Sequence, residues 1–392
     1  MLFASFIKRK LINLYDILWI KWSHRNEKKK FLDQRRINIY QNILLSPEQK
    51  IEIKNLYKNY YGKNVPYTWH RHFTAFTGKF DYRYFPELLY IPEFEHFENM
   101  EKEYCKVMSD KNMLAIIAKG IGVKTPKTLC SCASGLYRDQ NYKNISHSDF
   151  IELFANIGEC FIKPTIGSSS GQKCFLVSVG GVIKINNTKM NIKDFLNEMG
   201  EDFIVQERII CHKSIRKIYD GSVNTFRIIT YRWYENGKEV VKHMPVIMRM
   251  GRGGSYLDNA HAGGIFIALD DDGRMHEKAF TEFKEEFISH PDSGVVFKDC
   301  KIHLLPSVIK EAERCAVAVP QIGVYNWDFT IDEEGIPVLI EANCLGGSIW
   351  LSEMAHGRGA FGNLTPDILR WINKMKYTPV EKRKFYRYGR IN

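Results

Sequence analysis

The chain has 392 residues, 44% hydrophobic and 26% charged, with a net charge of +11. At ~100–200 residues per domain there is room for two or three compact units, and the composition excludes a mainly disordered chain, a collagen-like chain and a disulfide-stapled mini-protein. The nine cysteines show no paired metal spacing, since Cys130-x-Cys132 is their one close pair; they read as reduced thiols of a cytoplasmic protein.

Charge is unevenly placed. Residues 1–36 carry ten Lys/Arg against three acids, and residues 370–392 carry eight against one. The body between them is slightly acidic, which argues against a nucleic-acid channel and for basic ends that touch something anionic. Within Met1 to Trp22, Phe3, Ile7, Leu11, Leu14, Leu18 and Trp22 interleave with Lys8, Arg9, Lys10 and Lys21. The basic cluster interrupts the apolar stretch, against a signal peptide. Two expectations remain, a helix packed on its own domain and an amphipathic helix at the inner face of an anionic membrane.

Ser46-Pro47-Glu48-Gln49 predicts a capping box with proline at the first helical position. Residues 61–100, rich in aromatics and proline, read as an irregular segment. A helix is predicted from Ser109-Asp110 to Gly120, followed by an extended Gly122–Pro126. From about residue 160 the pattern changes to strands at 160–163, 173–179, 203–206, 225–233 and 240–250. A helix at 307–318 and strands at 324–331 and 337–341 follow, the last two joined by the turn Asp332-Glu333-Glu334-Gly335. The fold class is α+β, with antiparallel sheets.

Two segments place polar groups where strands should bury apolar ones. In Phe161-Ile162-Lys163-Pro164-Thr165-Ile166-Gly167-Ser168-Ser169-Ser170-Gly171, a lysine at a buried strand end is costly unless it meets an anion. The hydroxyl-rich loop after it suits phosphate oxygens, although it is not a Walker loop. An exposed hairpin loop is the competing reading. In Trp327-Asp328-Phe329-Thr330-Ile331 and Ile340-Glu341-Ala342-Asn343, an antiparallel pairing puts Asp328, Glu341 and Asn343 on one side. These hard oxygen donors suit Mg²⁺ held between protein and phosphates.

Together these segments resemble the ATP-grasp ligases of the D-alanine–D-alanine ligase type. The stretches 222–230, 248–264 and 325–347 are more closely similar to the sugar-transfer-associated ATP-grasp proteins of polysaccharide and capsule assembly. The resemblance implies an ATP-grasp fold, two α+β subdomains clasping ATP, with an additional N-terminal helical or irregular region. The expected division is 1–104, 105–205, 206–375 and a basic tail at 376–392. It further implies ATP and Mg²⁺, with two ions, as cofactors. Lys111, Lys163, Ser168, Ser169 and Ser170 would meet phosphates, and Gln206, Glu207 and Ile209 would form the adenine hinge. Asp328, Glu341 and Asn343 would bind metal, and Arg227, Arg249 and Arg252 would neutralise the transferring phosphoryl group. Asn326 stands where many relatives carry arginine.

For His261 a structural hydrogen bond outweighs a role as base, and Cys344 reads as packing rather than a nucleophile. The activity implied is an ADP-forming carboxylate–amine or carboxylate–thiol ligase working through an acyl phosphate, with small-molecule or sugar-linked carboxylate and amine substrates. A kinase of the same fold and a non-catalytic, membrane-recruited nucleotide-binding protein are the alternatives.

Overall fold

The computed structural model describes residues 2–167, 172–180, 182–185 and 188–390. The first sheet is built from β1 (Thr128–Ala133), β2 (Leu136–Asp139), β3 (Glu159–Pro164), β4 (Phe175–Val179), β5 (Ile183–Ile185), β6 (Thr188–Met190) and β7 (Phe203–Glu207). Among the described residues their order is β2-β1-β7-β3-β4-β5-β6, with antiparallel pairings throughout. Its apolar face packs on the helices His147–Ala155 and Ile192–Met199 through Phe150, Phe154, Phe195 and Leu196.

The second sheet contains β8 (Thr225–Glu235), β9 (Lys238–His243), β10 (Val246–Met250), β11 (Ile265–Leu269), β12 (Met275–Phe280), β13 (Glu286–Phe287), β14 (Val324–Ile331) and β15 (Pro337–Asn343). The order runs β13-β12-β11-β10-β8-β14-β15, and β9 folds back on β8. Every residue of β14 is buried, because the sheet is covered on both faces. Helix Leu305–Ala318 covers one face through Val308 and Ala312. Helices Trp350–His356 and Thr365–Tyr377 cover the other, together with the N-terminal region.

The local signals act as their chemistry requires. Ser46 Oγ accepts from Gln49 N while the Gln49 side chain accepts from Ser46 N, the reciprocal capping box. Asp110 caps the helix Lys111–Gly120 by accepting from Met113 N. The expected strand at 240–250 is two strands, β9 and β10, because Pro245 between them has no amide hydrogen to give a ladder. The segment 61–100 is also more regular than expected: Thr68–Thr77 is an α-helix with Trp69, Phe73 and Phe76 buried.

The domain boundaries shift as well. The expected boundary between residues 205 and 206 falls inside β7. Residues 1–104 do not stand apart, since Tyr57, Trp69, Phe94 and Phe97 share one core with Ile229, Tyr231 and Trp371. The basic tail is likewise packed down. Arg383 is buried, donating to Met375 O, Thr378 O and Asp16 Oδ2, and Trp371 Nε1 donates to the carbonyl of Tyr386 at 2.6 Å. A guanidinium that finds carbonyls and a carboxylate is more stable folded in than trailing in water.

Candidate active site

Register decides which charges meet. Asp328 on β14 lies opposite Glu341 on β15, and on its other side opposite Arg227 on β8. Arg249 on β10 lies opposite Thr225 on β8. Alternate residues of a strand share a face, so Asn343 follows Glu341 on the same side. These residues, with Thr225 and Asp258, line a cavity of about 390 Å³. Phe161, Lys163, Gln206 and Glu207 of the first sheet line its other wall. The cavity therefore lies between the two sheets, in the size range of small-molecule sites.

Asp328 is 2% exposed and holds two arginines. Its Oδ1 accepts from Arg227 Nε at 2.6 Å, and its Oδ2 accepts from Arg227 Nη2 at 3.1 Å. Arg249 Nη2 lies 3.0 Å from the same Oδ2. Burial alone would raise the pKa of this carboxyl, but Arg227 and Arg249 hold it below the usual range. Arg249 also donates to Thr225 Oγ1 at 2.7 Å, and Asp258 accepts from the Thr225 amide at 3.0 Å and from its hydroxyl. Sequence reasoning passed over Asp258 and Thr225. The signal was present, a buried Asp and Thr beside strand arginines, but only the pairing of β8 with β10 brings them together.

The two lysines approach from different elements. Lys111 opens its helix and is fixed by its own amide, which donates to Thr165 O at 3.0 Å. Its Nζ is 3.0 Å from Glu341 Oε1. Lys163 projects from the end of β3 and is 7% exposed. Burial, and then the neighbouring Lys111 charge, bring its pKa down to about 8, opposed by Glu341 and Asp328. Four cations, Lys111, Lys163, Arg227 and Arg249, thus share the cavity with four carboxylates, Glu207, Asp258, Asp328 and Glu341. Lys163 and Arg249, both buried at the wall, concentrate positive charge in a recessed site where phosphate oxygens could meet it.

Gln206, Glu207 and Ile209 also line the cavity, at the strand end that leaves the first sheet. The Glu207 carboxylate accepts from the Lys127 amide at 2.9 Å, holding the two β-ends together. Ser168, Ser169 and Ser170 lie outside the described residues, whereas Ile166 and Gly167 before them border the cavity. Arg252 is the expected member that the described cavity lining does not contain. Its Nε donates to Gly263 O at 2.8 Å and its Nη2 lies 2.9 Å from Glu285, so it braces the 251–264 loop from outside. Tyr256, from that loop, donates to the carbonyl of Cys174 at 3.3 Å and ties the second sheet's loop to the first sheet. The sequence held no hint of this link.

His261 borders the cavity, and its Nδ1 lies 2.5 Å from Glu282 Oε2, a carboxylate that also pairs with Arg36. Cys344 is fully buried, and burial pushes its thiol pKa well up, away from nucleophilic use. Gly347 passes so close to Asn326 that a β-carbon there would sit 1.9 Å from Asn326 Nδ2. Arg227 and Arg249 supply positive charge beside Asp328.

Asp328, Glu341 and Asn343 fit a hard divalent cation in donor chemistry. Two carboxylates and an amide oxygen share one wall, and Asp328 Oδ1 spends one of its two lone pairs on Arg227. No group of three His, Cys, Asp or Glu side chains among the described residues forms a protein-only metal cage. A cation here would be shared with ligand oxygens.

Two facing antiparallel sheets, with Lys163 on one wall, a carboxylate–arginine cluster on the other and Lys111 at a helix start beside them, define an ATP-grasp protein. The chain belongs to the sugar-transfer associated ATP-grasp family, whose family model matches residues 92–366. Among solved structures it is similar to an L-amino acid ligase from Bacillus licheniformis (14% identity, TM-score 0.37), over 69% of this chain and 48% of that one. It is also similar to the D-alanine–D-alanine ligase of Bacillus anthracis (16% identity, TM-score 0.33), over 71% and 69% of the two chains. An N5-carboxyaminoimidazole synthase from Aspergillus clavatus, solved with ADP, is similar at 8% identity and TM-score 0.36, over 63% of this chain and 47% of that one. The chain thus spans about half the length of the first and last of these. No curated protein matches the sequence.

Proposed function

We propose that the protein is an ATP- and Mg²⁺-dependent, ADP-forming ligase that joins a carboxylate to an amine or thiol through an acyl phosphate. The substrates we favour belong to surface-polysaccharide assembly: an amino acid or amine joined to a sugar acid, or an acyl group to an amino sugar. One observation carries this reading. Two lysines, two arginines and the Asp328–Glu341–Asn343 oxygen set converge on one cavity.

Lys111 and Lys163 would bind the nucleotide's phosphates, and Gln206, Glu207 and Ile209 would border its base. Asp328, Glu341 and Asn343 would hold Mg²⁺, which when bound neutralises phosphate charge. The expected pair of ions would have these three side chains and the phosphate oxygens to draw on. Arg249, kept cationic between Asp258 and Asp328, would face charge developing on the γ-phosphoryl group as the donor carboxylate attacks it. The ordered Arg227–Asp328–Arg249 unit presents that charge without reorganising. Gly346 and Gly347 would let the backbone approach the acyl phosphate and exclude water.

The test is a pairwise screen of amino acids against nucleotide-linked uronic acids and amino sugars, scored by ADP release. With the right donor, hydroxylamine should trap a hydroxamate, and oxygen-18 from the carboxylate should appear in phosphate. AMP and pyrophosphate as products would overturn the reading. A stable phosphorylated product without label in free phosphate would make the protein a kinase.

A further inference from the structure

The helix Leu2–Lys30 is turned inside out relative to an ordinary surface helix. Its polar residues Asp16, Ser23 and Glu27 are the ones buried against the domain. Asp16 fixes that rotation, because its carboxylate lies 2.7 Å from His96 Nε2 and accepts from Arg383 Nη2 at 2.7 Å. Asn13 adds a second clamp by accepting from the Val380 amide at 2.9 Å. The opposite face carries Ile7, Leu11, Leu14, Tyr15, Leu18 and Trp22, each between 43% and 71% exposed. Spacings of three and four residues line them up in one stripe. A single exposed leucine is ordinary, but a continuous row of six large apolar side chains marks an interaction surface.

We propose that this face docks the protein on an anionic membrane surface, the helix lying in the plane of the headgroups with its apolar stripe inserted. Length fits that geometry. Ile7 to Trp22 covers about 22 Å at 1.5 Å per residue, and no helix among the described residues is long and apolar enough to cross a membrane. Charge selects the partner. Arg25 and Lys29 continue the line of the stripe beyond Trp22, and Lys21 and Lys28 flank it, all four exposed. A second copy of the chain would bring these cations against like charges, whereas anionic lipid complements them. Tyr15 and Trp22 add rings with a polar edge, the kind that settle between headgroup and acyl chain. The proposal is independent of the reaction assigned to the cavity.

The full-length chain, sedimented with vesicles of phosphatidylcholine containing about one-third phosphatidylglycerol, should bind at least about tenfold more tightly than to pure phosphatidylcholine. Binding should weaken as salt is raised. The variant L14E/L18E changes only exposed positions and should keep the parent's thermal midpoint and nucleotide affinity. It should bind anionic vesicles at least about tenfold more weakly. Equal sedimentation of parent and variant would overturn the proposal. So would a parent that is dimeric in solution, ignores vesicles and becomes monomeric in L14E/L18E, since the face would then be a self-association surface.

Discussion

Lys111 Nζ lies 3.0 Å from Glu341 Oε1, so a lysine expected to meet phosphate is paired with a carboxylate expected to meet metal. The pair holds both charges in place without ligand, and nucleotide binding would exchange this contact for a phosphate on one side and a cation on the other. Glu341 is 27% exposed at its side chain and has one cationic partner, whereas Asp328 is 3% exposed and has two. Their substitutions should therefore differ. Glu341→Gln should lower Mg-ATP turnover by about 10²-fold or more with little change in urea midpoint. Asp328→Asn should lose turnover and also about 3–5 kcal/mol of stability, because half-buried Arg227 and buried Arg249 lose the carboxylate they share, leaving Arg249 only the more distant Asp258 at 3.7 Å. Equal urea midpoints for the two variants would contradict this division.

The arginines divide just as sharply. Arg249 is buried at the cavity wall, while Arg252 braces a loop outside it. Arg249→Met should reduce kcat by about two orders of magnitude, the scale of losing one preorganised charge donor. Arg252→Ala should change kcat by less than about threefold, since its exposed pair with Glu285 is worth little. Steady-state ADP release measures both.

Lys163 gives the site a pH signature. Its pKa is brought from the ordinary 10.5 to about 8 by burial and by Lys111. A depressed lysine contributes stability above its unfolded pKa, and that contribution is lost as pH falls through about 8. Stability from this group therefore rises between pH about 8 and 10.5, where the unfolded chain holds the extra proton. Nucleotide affinity should run the other way. Above pH about 8 the free protein loses the ammonium that meets phosphate, so Kd should rise by up to about tenfold per pH unit. Isothermal titration of ADP from pH 7 to 9.5 checks this, and Lys163→Met should flatten the profile.

The N-terminal region reaches the site through Glu95, whose carboxylate accepts from the amides of Gly346 and Gly347 at 2.7 and 2.9 Å. Burial pushes its pKa up to about 7, against the lowering effect of those two amides. Glu95→Ala should strand the buried Gly347 donor at about 1–3 kcal/mol, while the exposed Gly346 amide turns to water, and Glu95→Gln should restore part of that loss. Hydrogen exchange at Gly346 and Gly347 should accelerate in the alanine variant, and turnover should fall as the loop over the cavity loosens. Unchanged exchange would show that another group holds the loop.

Much of this was determined locally. Ser46, Asp110 and Asp332 cap their own helices or turn through hydrogen bonds two to four residues away, so their chemistry is complete within a short stretch of chain. The β14–β15 pair is similarly self-contained, because a short turn joins the strands and alternation puts Asp328, Glu341 and Asn343 on one side. The ATP-grasp resemblance rests on those same contiguous residues. What no local pattern holds is the register between distant strands. Only the pairing of β14 with β8 and of β8 with β10 surrounds Asp328 with Arg227 and Arg249 and brings Asp258 in behind Thr225, while leaving Arg252 outside. The rotation of the first helix is of the same kind. Its sequence offers an apolar stripe and a polar one, and the natural expectation buries the apolar side. Contacts from Asp16 to His96 and Arg383, 80 and 367 residues away, bury the polar side instead. A charged pair that must leave water together sets that orientation, and such a partner can be found only once the chain has folded.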